Sequence, residues 1–158
     1  MTQTHPSVRE IWLNYMNQEG ISETEAPAYE SWYFCDNEAD ADELAQLVLD
    51  GVKRATASSL EAMEEGGEEI PKVGGFSVIT DWEGVAKCII RTEAIEIVPF
   101  REVTAQFAAT EGEGDRSLEF WREVHRRFFT RELESVGLKF HEETPVICET
   151  FSVVYPPR

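Results

Sequence analysis

The sequence predicts an α+β domain, a small curved β-barrel with flanking helices. Runs rich in β-branched and aromatic residues at 76–80, 85–98 and 146–155, with a strand or turn at 53–60, alternate with segments whose apolar residues recur at helical spacing. The two middle runs are separated only by Asp81-Trp82-Glu83-Gly84, which marks a hairpin. The run 85–98 alternates imperfectly, with Ala86, Cys88 and Ile90 set against Lys87, Ile89 and Arg91. A curved strand buried on both faces at one end reads this way.

The elements follow in order. Pro6 suits the first turn of a helix capped by Thr4 or His5, with Val8, Ile11, Trp12, Tyr15 and Met16 on one face and Gly20 as its stop. Residues 21–31 link this helix to a short aromatic strand, Ser31-Trp32-Tyr33-Phe34. A second helix runs over about 38–50, with Ala41, Leu44, Ala45 and Val48 inward and Gly51 placed for a left-handed end. After the run at 53–60, residues 61–69 form an acidic, glycine-bearing excursion expected to be a short helix and loop. Pro71 to Gly75 turns the chain into the hairpin, and Pro99 closes the sheet segment. A helix over 101–109 is broken at Glu111-Gly112-Glu113-Gly114-Asp115. Asp115 or Ser117 then caps a helix lined by Leu118, Trp121, His125, Phe128 and Phe129, with Gly137 at its exit. Residues 146–155 form the last strand, which Pro156-Pro157 ends.

A chain of 158 residues with 42% hydrophobic and 11% aromatic content is expected to be one folded domain with a real core. Fourteen Lys and Arg against 31 Asp and Glu leave a net charge of −17, which opposes duplex DNA or an anionic membrane as partner. A small basic cleft inside the acidic shell stays compatible with that charge. Cys35, Cys88 and Cys148 lack the short spacing of a zinc knuckle or redox dithiol, and His5, His125 and His141 are scattered, so neither a metal site nor a cofactor is expected. Met1 to Thr4 carries no secretory pattern and no apolar run reaches membrane-spanning length, so a cytoplasmic protein is expected. Oligomeric state is not legible.

The segment Gly51-Val52-Lys53-Arg54-Ala55-Thr56 stands behind a helix and places a lysine three residues before a threonine. With Pro71-Lys72-Val73-Gly74 before a strand, and Glu111-Gly112-Glu113-Gly114-Asp115-Arg116-Ser117-Leu118-Glu119-Phe120-Trp121 before a helix, it resembles the ASCH domain, a PUA-like fold related to RNA-associated modules. The resemblance covers about Trp32 to Tyr155, and the last string looks like the longer bacterial branch. It implies one ASCH-like domain over 1–158, with residues 1–30 a helical extension and 31–158 the core. Short bacterial members remove an acetyl group from 4-acetylcytidine with a lysine, a threonine and a glutamate, and some longer members cleave RNA. Carried over by motif, those roles fall on Lys53, Thr56 and Glu111, with Glu113 a close alternative to Glu111. The acidic stretch 61–69 departs from the short members, so the same substrate does not follow.

In an amidohydrolase, Thr56 would attack the acetyl carbonyl and Lys53 would take its proton. Burial lowers a lysine's pKa and a nearby carboxylate raises it, and the sequence leaves that contest open. In a ribonuclease, Lys53 would stabilise a crowded phosphate while Arg54 or Arg116 hold its oxygens and Ser117 adds a hydroxyl. Each residue also has an ordinary role. Lys53 can be a solvated lysine, Ser117 a helix cap, and Arg54 and Arg116 partners for surplus acids. Trp121, His125 and Phe128 read as core, and Tyr33 as a stacking candidate for a base. The sequence thus points to a hydrolase acting on RNA or a modified nucleoside. The alternatives are a non-catalytic RNA-binding module and, if the acidic surface is the working face, a regulatory partner-binding domain.

Overall fold

The computed structural model describes residues 4–157, so part of the amino-terminal stretch read for targeting lies outside it. The described residues form two compact units, one made of 4–51, 74–92 and 151–157 and the other of 52–73 and 93–150.

In the first unit, α1 (Pro6–Glu19) starts where the His5 ring nitrogen accepts the Ser7 amide, and stops at Gly20 with φ 69°. Its face of Val8, Trp12, Tyr15 and Met16 packs on Val78 and Ile89. Strand β1 (Tyr29–Trp32) pairs in parallel with β3 (Phe76–Thr80), from Tyr29 opposite Phe76 to Trp32 opposite Ile79. The aromatic strand therefore begins two residues earlier than the sequence predicts and releases Tyr33 and Phe34. Cys35 at φ 67° turns the chain there, and Phe34 drops into the core while Tyr33 stays exposed. Helix α2 (Glu38–Leu49) is capped by Asn37 and packs Leu44, Ala45 and Val48 with Phe34, Ile79, Cys88 and Ile90. The expected hairpin is present: β3 runs antiparallel to β4 (Ala86–Pro99), with a register shift between Ile79 and Thr80 that bends the pair.

In the second unit, β2 (Ala55–Ser59) runs antiparallel to residues 146–150 of β5 (Pro145–Tyr155). Ser59 then caps α3 (Leu60–Glu65), the acidic excursion. The helix expected over 101–109 is divided. Phe100–Glu102 is a single 3-10 turn, Val103 is extended, and the Thr104 hydroxyl accepts the Phe107 amide to start α4 (Ala105–Glu111). Starting later, α4 also reaches further, to Glu111. Ser117 caps α5 (Leu118–Ser135). The core joins Phe100, Trp121, Phe129 and Leu133 to Val146 and Cys148, and each large side chain buried here contributes about 1.5–3 kcal/mol.

The strands form one mixed sheet in the order β1-β3-β4-β5-β2. The expected barrel is corrected here, because β1 and β2 each have a single neighbour and the sheet stays open. Closure needs matched strands at the two ends. These ends are only four and five residues long, and the chain passes from each straight into other structure. The α+β class and the flanking helices stand as expected.

Candidate active site

The second unit brings Lys53 and Glu111 together although 58 positions separate them. Two backbone contacts make that possible. The Arg54 amide donates to the Thr110 carbonyl at 3.0 Å, tying the segment before β2 to the end of α4. Gly112, at φ 72°, ends α4 against Val52, where a Cβ would lie 2.3 Å from the Val52 carbonyl oxygen. Only glycine tolerates both that torsion and that approach. Gly112, Gly114 and Arg116 all have positive φ, so the loop turns repeatedly between the two helices and returns Glu113 to the same place.

The Lys53 ammonium donates to three oxygens: the Ala55 carbonyl at 2.8 Å, Glu111 Oε2 at 3.1 Å and Glu113 Oε2 at 3.0 Å. The side chains of Lys53 and Glu111 are each 1% exposed, whereas that of Glu113 is 18% exposed. Glu113 is therefore the member that meets solvent, or a ligand, first. On the far side, Trp121 Nε1–H donates to Glu111 Oε1 at 3.1 Å, and His125 Nε2 lies 3.5 Å from the same oxygen. His125 stacks on Trp121 at 4.1 Å with the rings 14° apart, and its Nδ1 lies 2.9 Å from the Trp121 carbonyl oxygen. The stripe read as core thus brings one donor, the Trp121 N–H, and one imidazole nitrogen to the cluster.

The electrostatics divide the two glutamates. Burial opposes the Glu111 charge, but Lys53 and then His125 favour it more strongly, and its carboxyl stands well below the usual range. Burial raises Glu113, and its hydrogen bond to Glu111 raises it further, to about 7. Burial pulls the Lys53 ammonium down, yet Glu111 and Glu113 reverse this and hold it above the ordinary lysine value. The contest left open by the sequence goes to the carboxylates, which favour the ammonium form of Lys53. Burial lowers the His125 imidazolium and Glu111 more than restores it, leaving it above the ordinary imidazole value. Glu111, Glu113 and His125 offer ligand atoms within 4.8 Å of one another, a set that a divalent ion accepts. Here the Lys53 ammonium already supplies the cation between the two carboxylates.

The remaining predicted residues are less closely joined. Thr56 pairs in register with Glu149, as Ala57 does with Cys148. Ala57 and Cys148 belong to the core that contains Trp121, so strand alternation turns Thr56 and Glu149 to the other face of the sheet. Arg54 and Arg116 are exposed. The Ser117 hydroxyl oxygen accepts the Phe120 amide at 3.0 Å and so serves as the cap of α5. Tyr33 lies in the first unit, its ring 4.8 Å from that of Trp82. Sequence reasoning passed over His125 and Trp121 as members of the cluster. The available signal was four-residue spacing on a helix that follows a glutamate pair, which places both residues on one face.

Among the described residues no helix is long and apolar enough to cross a membrane. No curated protein matches this chain. Among solved structures, an ASCH domain from Lactobacillus crispatus JV V101 is 34% identical, with a TM-score of 0.87 over 98% of both chains. Protein EF3133 from Enterococcus faecalis V583 is 33% identical, with a TM-score of 0.82 over 93% of this chain and 87% of that one. The hypothetical protein PH0355, 17% identical with a TM-score of 0.52 over 79% of this chain and 97% of that one, shares the fold alone. Residues 30–155 match the ASCH domain itself, and with two structures this similar the chain belongs to the ASCH domain family, a PUA-like fold associated with RNA binding.

Proposed function

We propose that the protein is a hydrolase of an acylated nucleoside amide of the 4-acetylcytidine type, with Glu113 as its acid–base group. The observation that carries this reading is the pairing of Glu113, partly exposed and poised near neutral pH, with a buried Lys53–Glu111 ion pair in which each group favours the other's charge. A general acid–base works best when its pKa lies near the working pH. Ionised Glu113 takes a proton from water as the oxygen attacks the amide carbonyl carbon. It then returns that proton to the departing cytosine nitrogen as the C–N bond breaks. Lys53 holds Glu113 in place through its 3.0 Å bond and offers a positive charge beside the developing oxyanion. Water takes the nucleophile's part in this scheme because Thr56 faces away from the Cys148 side of the sheet. A neutral nucleoside also suits the site better than a polyanion, since three acceptors already engage the lysine in a chain of net charge −17.

A second reading, RNA binding without chemistry, is favoured by a different observation. Arg116, Arg122, Arg126, Arg127 and Arg131 lie on and just before α5, so that this stretch, which also holds Glu119, Glu123, Glu132 and Glu134, is close to balanced in a chain that is otherwise strongly acidic. Part of that charge is used within the protein, as Arg126 pairs with Glu142 and Arg127 with Glu123. The test is parallel incubation with 4-acetylcytidine and with single-stranded RNA, followed by chromatography of the products. Release of acetate and cytidine, lost by a hundredfold or so in Glu113→Gln, supports the hydrolase. Salt-sensitive RNA binding with neither product overturns it in favour of the second reading.

A further inference from the structure

We propose that His125 and Glu113 share a single proton across Glu111, His125 holding it when Glu113 must act as a carboxylate, so that the buried cluster keeps a constant net charge. The inference rests on the acid–base reading for its purpose, although the sharing itself can be measured without substrate.

The argument begins with the hydrogen bonds of the imidazole. Its Nδ1 is 2.9 Å from the Trp121 carbonyl oxygen, which can only accept, so Nδ1 carries a proton in either charge state. The exchangeable position is Nε2, 3.5 Å from Glu111 Oε1. In the neutral ring, that nitrogen turns a lone pair toward a carboxylate oxygen, an arrangement relieved by adding a proton. The same Oε1 is held by Trp121 Nε1–H, and the other oxygen, Oε2, by Lys53. Glu111 is thus fixed on both sides as the ionised bridge and does not itself keep the proton.

Charge counting gives two equivalent states. With Glu113 protonated and His125 neutral, Lys53 and Glu111 cancel and the cluster is neutral. With Glu113 ionised and His125 protonated, two positive and two negative groups cancel again. With Glu111 held as the carboxylate by Lys53 and Trp121, any other placement of protons on Glu113 and His125 leaves an uncompensated charge in a region where Lys53, Glu111 and His125 are all buried, and such a charge is costly. In passing from the first state to the second, the Glu113 O–H bond breaks and an Nε2–H bond forms, with no proton taken from solvent. The charged groups acting on His125 are Glu111 from α4 and Glu113 from the loop beyond it, with Lys53 on the far oxygen of Glu111. Cys148 on β5 also lies near Glu111, but burial pushes its thiol up to about 12, so it stays neutral. Burial and Glu113 act on His125, and His125 in turn acts on Glu113, in the sense that sharing requires.

The test is a pair of NMR titrations without substrate, following the His125 ring nitrogens and the Glu113 side-chain carboxyl carbon. In the wild type, both probes should report the same two steps, because strongly interacting groups titrate as a pair. In Glu113→Gln, whose amide imitates the protonated acid, His125 should titrate in a single step moved down by about one to two pH units. In His125→Gln, Glu113 should move up by a similar amount. A purely structural His125 would leave the histidine midpoint where it is in Glu113→Gln, and that result overturns the proposal. Should His125→Gln fail to fold, the Glu113→Gln titration decides alone. Absence of deacetylation would overturn the hydrolase reading while leaving the coupling to be judged by these midpoints.

Discussion

Replacing Glu113 by glutamine should stabilise the protein increasingly as pH rises above about 4.5, with the full gain reached above about 7. A protonated Glu113 donates to Glu111 and accepts from Lys53, and a glutamine amide can do the same at nearly the same volume. The two proteins should therefore be about equally stable near pH 4.5, where the acid is protonated both folded and unfolded. The sign above that pH follows from proton binding. The folded-state pKa of about 7 lies above the ordinary 4.5, so in that interval the folded state holds a proton that the unfolded state has lost. The stabilising contribution is complete below 4.5 and is lost as pH rises through about 7. When the group is ionised in both states, the loss amounts to about 3 kcal/mol. Glutamine never ionises and is spared it. Urea unfolding of both proteins at pH 5, 6, 7 and 8 should therefore give a stability difference that opens with pH and levels off near 8. Taking the difference removes the separate contributions of unrelated carboxylates. A flat difference from pH 5 to 8 would refute the reasoning, because it would mean that Glu113 ionises as readily in the folded chain as in the unfolded one.

Lys53→Met keeps most of the stem's volume but leaves Glu111 buried without its cation, and chemical denaturation at pH 8 should show a loss of about 3–5 kcal/mol. Gly112→Ala forces a left-handed torsion and a Cβ contact on the Val52 carbonyl, so a melting experiment should record a loss of about 2–3 kcal/mol. Trp121→Phe preserves a ring against His125 but deletes the donor to Glu111, with an expected cost of about 1.5–3 kcal/mol by denaturation. Thr56→Val should leave deacetylation within a few-fold of wild type, whereas a loss matching that of Glu113→Gln would restore the threonine as nucleophile.

The elements of regular periodicity were legible. Helices at 6–19 and 38–49 and the hairpin 76–99 are written in local patterns that one turn or strand can satisfy, including Gly20 at the end of α1 and the Ser117 cap of α5. What escaped depended on partners distant in sequence. The start of β1 at Tyr29 is set by its parallel register with β3, which no local signal encodes. An open sheet and a closed barrel share the same strand patterns, and they differ only in whether the end strands meet. At the site, Lys53 and Glu111 followed from the family resemblance, and Glu113 was visible only as a neighbour that could replace Glu111. The structure shows that both glutamates bind the lysine, a possibility that a choice between them had hidden. His125 looked like a core residue because it is one; its burial and its charge partner are separate facts, and only the first leaves a periodic trace.

The cluster is also hard to explain as a stabilising device. One buried and one half-buried carboxylate, an ammonium and an imidazole recover by mutual attraction much of what they lose in hydration, but well-packed apolar side chains of similar volume commonly do as well or better. Here apolar packing is close at hand, since Trp121 already stacks near Phe100 and Phe107 in the same core. The arrangement goes further from the stability optimum by keeping Glu113 at about 7, where ionisation weakens the fold at the pH at which the proposed hydrolysis needs a base. A structural ion pair has no use for that conflict, because a second acid of ordinary pKa, or none, would serve it better. A proton carrier requires it, since a group that binds its proton too weakly cannot protonate a leaving nitrogen and one that binds too tightly cannot accept from water. The opposed displacements of Glu111 and Glu113 from one starting value, together with their shared lysine, are therefore the reason for proposing chemistry here.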